Sequence, residues 1–260
     1  MRIRIGNGEF GEVYHAACAY ILDETVTVEF EDFAAGQEFF NAFVVGDPRD
    51  HLAGEEVAHP GETANVIRDA YYEGCLDEVS TEILQRAQDE NWVLPPQFNT
   101  LMTKEPKVLL WHRNKTYKAH RNSTAELIRQ LADLCRMRGT KPILIGPDSF
   151  DTTCYELGEF WTHEFFNEHS IAKQLWSIDQ VFRGGSALAN VGVMSGAMDG
   201  IPMFFGHKTV FLARHRDATP RMQKVAGSVP NLIWQQIEFS GNLATLNDSD
   251  LAAIERLIWC

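Results

Sequence analysis

Two apolar runs and the helix-patterned segment between them constrain this sequence more than any other feature. Val108-Leu109-Leu110-Trp111 and Pro142-Ile143-Leu144-Ile145-Gly146 read as strands of the buried type. Between them Leu127, Ile128, Leu131, Leu134 and Cys135 recur at helical spacing, with Asn122-Ser123 as the expected cap and Gly139 as the expected terminator. Strand, helix and strand in this order predict a right-handed crossover between two parallel strands. The same alternation runs through the rest of the chain, so the expected fold class is α/β. Ile3-Arg4-Ile5, residues 26–30, 43–45, 191–194 and 209–212 read as further strands. Residues 11–22, 62–72, 80–90, 171–188 and 251–259 read as helices, with Ser80 and Asp248 as caps of two of them. Pro95-Pro96 and the polar run to Pro106 read as a linker, placing a boundary between units 1–103 and 104–260.

Charge supports that division. Residues 1–105 hold 6 Lys/Arg against 21 Asp/Glu, a net −15, whereas residues 106–260 hold 17 against 15, a net +2. An acidic first unit repels a phosphate backbone, so extended nucleic-acid binding is not expected. The second unit has two basic clusters. One runs from Lys104 and Lys107 through His112, Arg113, Lys115, Lys118 and His120 to Arg121. The other holds His207, Lys208, Arg214, His215, Arg216, Arg221 and Lys224. They are either solvated loops or two sides of one anion pocket. Cys18, Cys75, Cys135, Cys154 and Cys260 are odd in number and widely spaced, with no C-x-x-C. This argues against a disulfide framework or thiolate zinc site, and for the cytoplasm. No run of apolar residues is long enough for a transmembrane segment.

Gly6-Asn7-Gly8-Glu9-Phe10-Gly11-Glu12-Val13 matches the glycine loop of protein kinases, and His215-Arg216-Asp217 matches their catalytic loop. The other parts are missing. No lysine stands between the loop and Lys104, Met222 occupies the position of the metal-binding asparagine, and there is no D-F-G. The turn also satisfies G-x-G-x-x-G, with Glu29 or Glu31 about 20 residues on as a ribose partner. An NAD-dependent oxidoreductase built on Gly6, Gly8 and Gly11 is therefore an alternative. So are a plain turn and a loop facing an interdomain cleft, where Glu9, Glu12 and His15 would meet an acceptor.

Three stretches in the second unit carry the stronger chemistry. Trp111-His112-Arg113-Asn114 follows a strand directly, where side chains reach a ligand crevice. Arg113 suits a bidentate phosphate clamp, with Lys115 or Arg121 adding charge. Gly146 ends the next strand and permits close approach of a base or ribose, or is simply a turn. Ser195-Gly196-Ala197 opens a helix after a strand, where free amides and the helix dipole favour a phosphate; Ser195 as a simple cap is the alternative. Asp248-Ser249-Asp250 is explained by helix capping without a metal, and His163 and His169 lack H-E-x-x-H spacing.

In this order the motifs resemble the C-terminal half of a GT-B type glycosyltransferase, over roughly residues 107–215. Ser195-Gly196-Ala197-Met198-Asp199-Gly200 is similar to the D-S-G-x-x-H turn of the ADP-heptose:lipopolysaccharide heptosyltransferases, with Met194 in place of the usual Asp. Trp111-His112-Arg113-Asn114 is similar to the H-x-R region of the α-1,6-fucosyltransferase group. The resemblance implies two Rossmann-like domains facing across a cleft. It implies a nucleotide-diphosphate sugar as partner, an unidentified hydroxyl acceptor, and catalysis with no cofactor and no bound metal. On it, Arg113 neutralises the donor diphosphate and Ser195 and Gly196 form the phosphate turn. His112, Lys115, Arg121, Gly146 and Asp199 complete the donor side. Gly6, Gly8, Gly11 and His15 line the acceptor side, with Glu9 as the expected base. A catalytically inactive nucleotide- or sugar-binding module is the remaining alternative.

Overall fold

The computed structural model describes residues 2–5, 27–30, 57–58, 69–70, 75–113, 122–146, 155–158, 171–193, 195–213, 226–237, 239–240 and 243–260. Strands β1 (Arg2–Ile5), β2 (Thr27–Phe30) and β3 (Val57–Ala58) form a parallel sheet in the order β2-β1-β3. The first two were expected; the strand expected at 43–45 and the helix at 11–22 lie outside the described residues.

Helix α1 (Cys75–Asp89) begins earlier than its expected start at Ser80. Leu76, Val79, Ile83 and Ala87 form one buried stripe, so tertiary burial extends the helix backwards past the cap signal. Ser80 and Thr81 instead donate their hydroxyls to the Asp77 carbonyl at 2.9 and 2.7 Å. The expected linker is also structured. Helix α2 (Pro96–Asn99) starts on Pro96, and Phe98 and Leu101 are fully buried.

At the end of α1, Glu90 accepts from Arg86 Nε at 2.5 Å and from Trp92 Nε1 at 2.7 Å. The Arg86 hydrogen bond first, and then that of Trp92, hold the Glu90 carboxyl below its usual pKa. A depressed carboxyl pKa stabilises the fold above the unfolded value, and that contribution disappears as the pH falls through the folded one. Glu90→Gln is therefore expected to be slightly less stable than the parent at pH 7. Urea midpoints of the two chains should converge in acid; a difference that persists there contradicts the pairing.

The remaining elements build the main sheet. Strand β4 (Lys107–Trp111) leads to helix α3 (Ala125–Met137) and strand β5 (Lys141–Ile145). Strand β6 (Tyr155–Gly158), helix α4 (Ile171–Gly185), strand β7 (Ala187–Val193), helix α5 (Gly196–Phe205) and strand β8 (Thr209–Ala213) follow. Strand β9 (Leu232–Gln236), a small antiparallel pair of β10 (Phe239–Ser240) and β11 (Leu243–Ala244), and helix α6 (Asp248–Trp259) end the chain. The strands pair in the order β6-β5-β4-β7-β8-β9, every pair parallel.

Alternation along each strand sorts the two faces. Val108, Leu110, Val191, Val193, Val210 and Leu212 pack with Leu127, Ile128 and Leu131 of α3 and Ile254 and Ile258 of α6. Leu109, Trp111, Asn190, Gly192, Thr209 and Phe211 alternate with them and lie on the opposite face, where Met198 of α5 meets Gly192. Helices α1, α4 and α5 pack on one another. Helix α3 is capped by Thr124, whose Oγ1 accepts from Leu127 N at 3.0 Å, rather than by Asn122-Ser123. Gly139 terminates it in the left-handed region, φ +64°, as expected. Asn247, not Asp248, caps α6, with Asp250 completing a capping box.

Candidate functional site

The order of the six strands fixes where a ligand can sit. Counted along the chain they stand third, second, first, fourth, fifth and sixth across the sheet. From β4 the chain runs through α3 to β5 on one side, and from β7 through α5 to β8 on the other. The segments leaving these two adjacent strands diverge onto opposite faces, and a crevice opens at their carboxyl ends.

The β4 exit is tightly held. Trp111 is buried, and its Nε1 donates to Asn190 Oδ1 on β7 at 2.9 Å. Trp111 lies opposite Gly192, where a Cβ would come within 2.7 Å of Trp111 Cβ. Only glycine there leaves room for the tryptophan. Asn190 Nδ2 donates to Thr209 Oγ1 at 3.2 Å, so one buried polar chain ties β4, β7 and β8.

His112 is buried at 3% exposure, and its amide donates to Ile145 O at 2.7 Å. Its Nε2 atom is shut off from solvent. Arg113 is half-buried. Its amide donates to Ser123 Oγ at 3.1 Å, and Ser123 N donates to Arg113 O at 2.9 Å. Its Nη1 donates to Asn122 Oδ1 at 2.7 Å. The chain thus leaves at Arg113 and returns beside it at Asn122. Gly146, at the end of β5, has φ +143°, and a Cβ there would lie 2.8 Å from His112 Cβ. The lack of a Cβ at Gly146 leaves room for His112 of the same chain.

The β7 exit leads straight into α5. Ser195 stands at the N-cap with extended backbone, φ −143° and ψ 136°, yet its side chain makes no cap hydrogen bond. Ser195 thus holds the N-cap position that one reading of the sequence assigned to it, without a hydrogen bond from its hydroxyl to the helix. The first amides of any helix lack partners within it, and the dipole there is positive. Asp199, in the first turn of α5, is buried at 6% exposure with its Oδ1 shut off from solvent. A carboxylate so placed is favoured by the same dipole.

His112, Arg113, Gly146, Ser195, Gly196 and Asp199 gather at the carboxyl ends of β4, β5 and β7. Gly6, Gly8, Glu9, Gly11, His15, Lys115 and Arg121 lie outside the described residues, as do His163, His169 and the second basic cluster beyond Lys208. Three members of the two basic clusters have described positions away from the crevice. Lys107 opens β4, and His207 and Lys208 precede β8, so all three stand at the amino end of the sheet, away from the crevice. His207 stacks on Phe182 at 4.2 Å and pairs with the buried Asp179 at 2.8 Å, while Lys208 Nζ donates to Ile258 O at 3.3 Å. Asn190 was not singled out by the sequence, and Asn122 and Ser123 were expected only as a helix cap, not beside Arg113. Asn190 carried a signal, since a polar residue inside Ala-Leu-Ala-Asn-Val-Gly-Val needs a buried partner. Among the described residues no three His, Cys, Asp or Glu side chains group as metal ligands, and no helix is long and apolar enough to cross a membrane.

No protein-family model matches the sequence, and no curated protein matches it. Solved structures do match. E. coli heptosyltransferase WaaC with ADP superposes with a TM-score of 0.50 at 12% identity, over 99% of this chain and 99% of that one. E. coli ADP-heptose lps heptosyltransferase II gives 0.50 at 10% identity, over 99% of this chain and 97% of that one. The fold is that of the heptosyltransferases. These are GT-B glycosyltransferases, so the heptosyltransferase resemblance of the Ser195–Gly200 stretch is matched by the architecture that surrounds it. In this heptosyltransferase fold the β4 and β7 exits flank the crevice at the centre of the six-stranded sheet.

Proposed function

We propose that this chain is a glycosyltransferase that takes a sugar from a nucleotide-diphosphate donor and passes it to a hydroxyl acceptor. One observation carries the reading: Arg113 after β4 and the Ser195-Gly196 turn after β7 emerge side by side at the switch point of a six-stranded parallel sheet. Breaking the bond to the anomeric carbon leaves negative charge on the departing diphosphate. A guanidinium and a helix N-terminus already in place stabilise that charge without reorganisation. The Ser195 hydroxyl, unused as a cap, adds a donor to the same phosphates.

The fold neighbours support the class of ligand. One holds ADP and the other is an ADP-heptose transferase, which makes ADP the first nucleotide to test here. The oxidoreductase reading is not favoured. The sequence after β4 reads His112-Arg113-Asn114 and has no G-x-G-x-x-G, whereas the glycine-rich stretch from Gly6 to Gly11 follows β1 of the other sheet in sequence. In this proposal residues 104–260 hold the donor in a Rossmann-like unit and residues 1–103 present the acceptor. Glu9, which follows β1 in sequence, takes the acceptor proton, and transfer proceeds without a metal in the cytoplasm. His112, Gly146 and Asp199 shape the donor side, with Lys115 and Arg121 adding positive charge.

ADP is expected to raise the melting temperature of the protein. At 100 times its dissociation constant a ligand adds about 2.7 kcal/mol. Arg113→Ala should weaken ADP binding about a hundredfold, as loss of a charge-assisted hydrogen-bond pair does. A shift with NAD but not with ADP, UDP or GDP would sink the reading.

A further inference from the structure

We infer that Asn122 is a positioning residue for the donor diphosphate, acting through the guanidinium of Arg113. The inference rests on the donor site proposed above. An arginine side chain loses rotamer entropy on fixing a ligand unless it is already held. Arg113 is held: its Nη1 donates to Asn122 Oδ1 at 2.7 Å.

Asn122 is itself on a fixed stub. The next residue, Ser123, is buried and bonds the Arg113 backbone in both directions, at 3.1 and 2.9 Å. The one after that, Thr124, caps α3 and is anchored to Leu127 N. The residue pair therefore stands at the carboxyl end of β4, at the mouth of the crevice.

The chemistry of the partner matters as much as its place. Asparagine accepts a hydrogen bond without neutralising the guanidinium. A carboxylate at the same place would orient Arg113 equally well but would cancel the charge that a diphosphate needs. Asn122 thus orients the guanidinium without itself removing positive charge, which suits a dianionic or trianionic ligand.

The test is calorimetric titration of ADP and of adenosine into the full chain and its variants. Asn122→Ala should weaken ADP about tenfold, the factor that about 1.4 kcal/mol represents, and leave adenosine unchanged. Asn122→Asp, which keeps the acceptor, should also weaken ADP and spare adenosine. Combined with Arg113→Ala, Asn122→Ala should have no further effect, because the two residues act as one unit.

Equal losses for ADP and adenosine, or losses that add to those of Arg113→Ala, would overturn the inference and mark Asn122 as merely structural. If Arg113→Ala weakens ADP but neither Asn122 variant does, the inference fails alone. Failure of the parent chain to bind ADP, or unchanged binding by Arg113→Ala, overturns the donor reading itself. Should Asn122→Ala lower the melting temperature of the free protein, the ADP-to-adenosine ratio of Asn122→Asp decides.

Discussion

Gly146→Ala is expected to lose about 3–5 kcal/mol of stability, since it combines a strained backbone with an overlap in a packed site. The φ of +143° is one that L side chains rarely adopt. The added methyl would also meet His112, at 2.8 Å from its Cβ and 3.1 Å from its carbonyl carbon. Neither contact can be relieved by turning a flexible side chain, because both atoms are on or next to the backbone of a strand end. That end is pinned, with the His112 amide bound to Ile145 O at 2.7 Å. A chain of this size should melt roughly 10 °C lower. Because His112 precedes Arg113, ADP binding should fall as well. A variant with unchanged urea midpoint and unchanged ADP affinity contradicts this account of the strand ends.

Lys107→Met is the second large effect, about 3 kcal/mol, from leaving the buried Gly185 carbonyl and three part-buried oxygens without their donor. Lys107 has no exposed surface although it opens β4 at the amino end of the sheet. Its ammonium donates to Thr103 O at 2.8 Å, Thr103 Oγ1 at 3.1 Å, Glu105 O at 2.5 Å and also Gly185 O. These bonds fasten the segment before β4 to the end of α4. Methionine matches the stem in length, so the loss isolates the charge and its bonds rather than packing.

Burial pushes the Lys107 pKa below the ordinary lysine value of 10.5, with Glu105 opposing. Below the lowered pKa the buried charge costs stability. As the pH rises through it towards 10.5 the unfolded chain holds the proton more firmly than the fold, so this cost diminishes. The stability gap between parent and Lys107→Met should therefore widen with pH in that window. A gap of zero at pH 7 would show that the four oxygens find other donors.

Much of the sheet was legible because its strands are buried on both faces and so spell continuous apolar runs. β4, β5, β7 and β8 all have such cores, and each was placed to within a few residues. β9 was not legible. It lies at the edge of the sheet, and Ile233, Trp234 and Gln235 are only half-buried, so Leu-Ile-Trp-Gln-Gln carries neither a full apolar run nor clean alternation. β6, with Tyr155-Glu156-Leu157-Gly158, is the other edge and was missed for want of the same signal. Cap positions slipped by a residue or two at α3 and α6, where several adjacent residues can each cap. The choice among Asn122, Ser123 and Thr124 depends on Arg113, which claims the first two.

The sequence by itself determined the alternation of strand and helix, the parallel crossover from β4 to β5, and the two turns that carry Arg113 and Ser195. Those are local matters of apolar period, glycine and helix start, and they need no knowledge of the rest of the chain. Only the tertiary structure decided that β7 inserts beside β4. Strand order depends on long-range burial, and several orders would satisfy the same local pattern. That one pairing brings Arg113 and Ser195 to a single crevice and leaves Lys107, His207 and Lys208 at the opposite end of the sheet. It also explains why Asn190 and Gly192 stand in an otherwise apolar strand: Trp111 of the neighbouring strand needs a partner from one and space from the other.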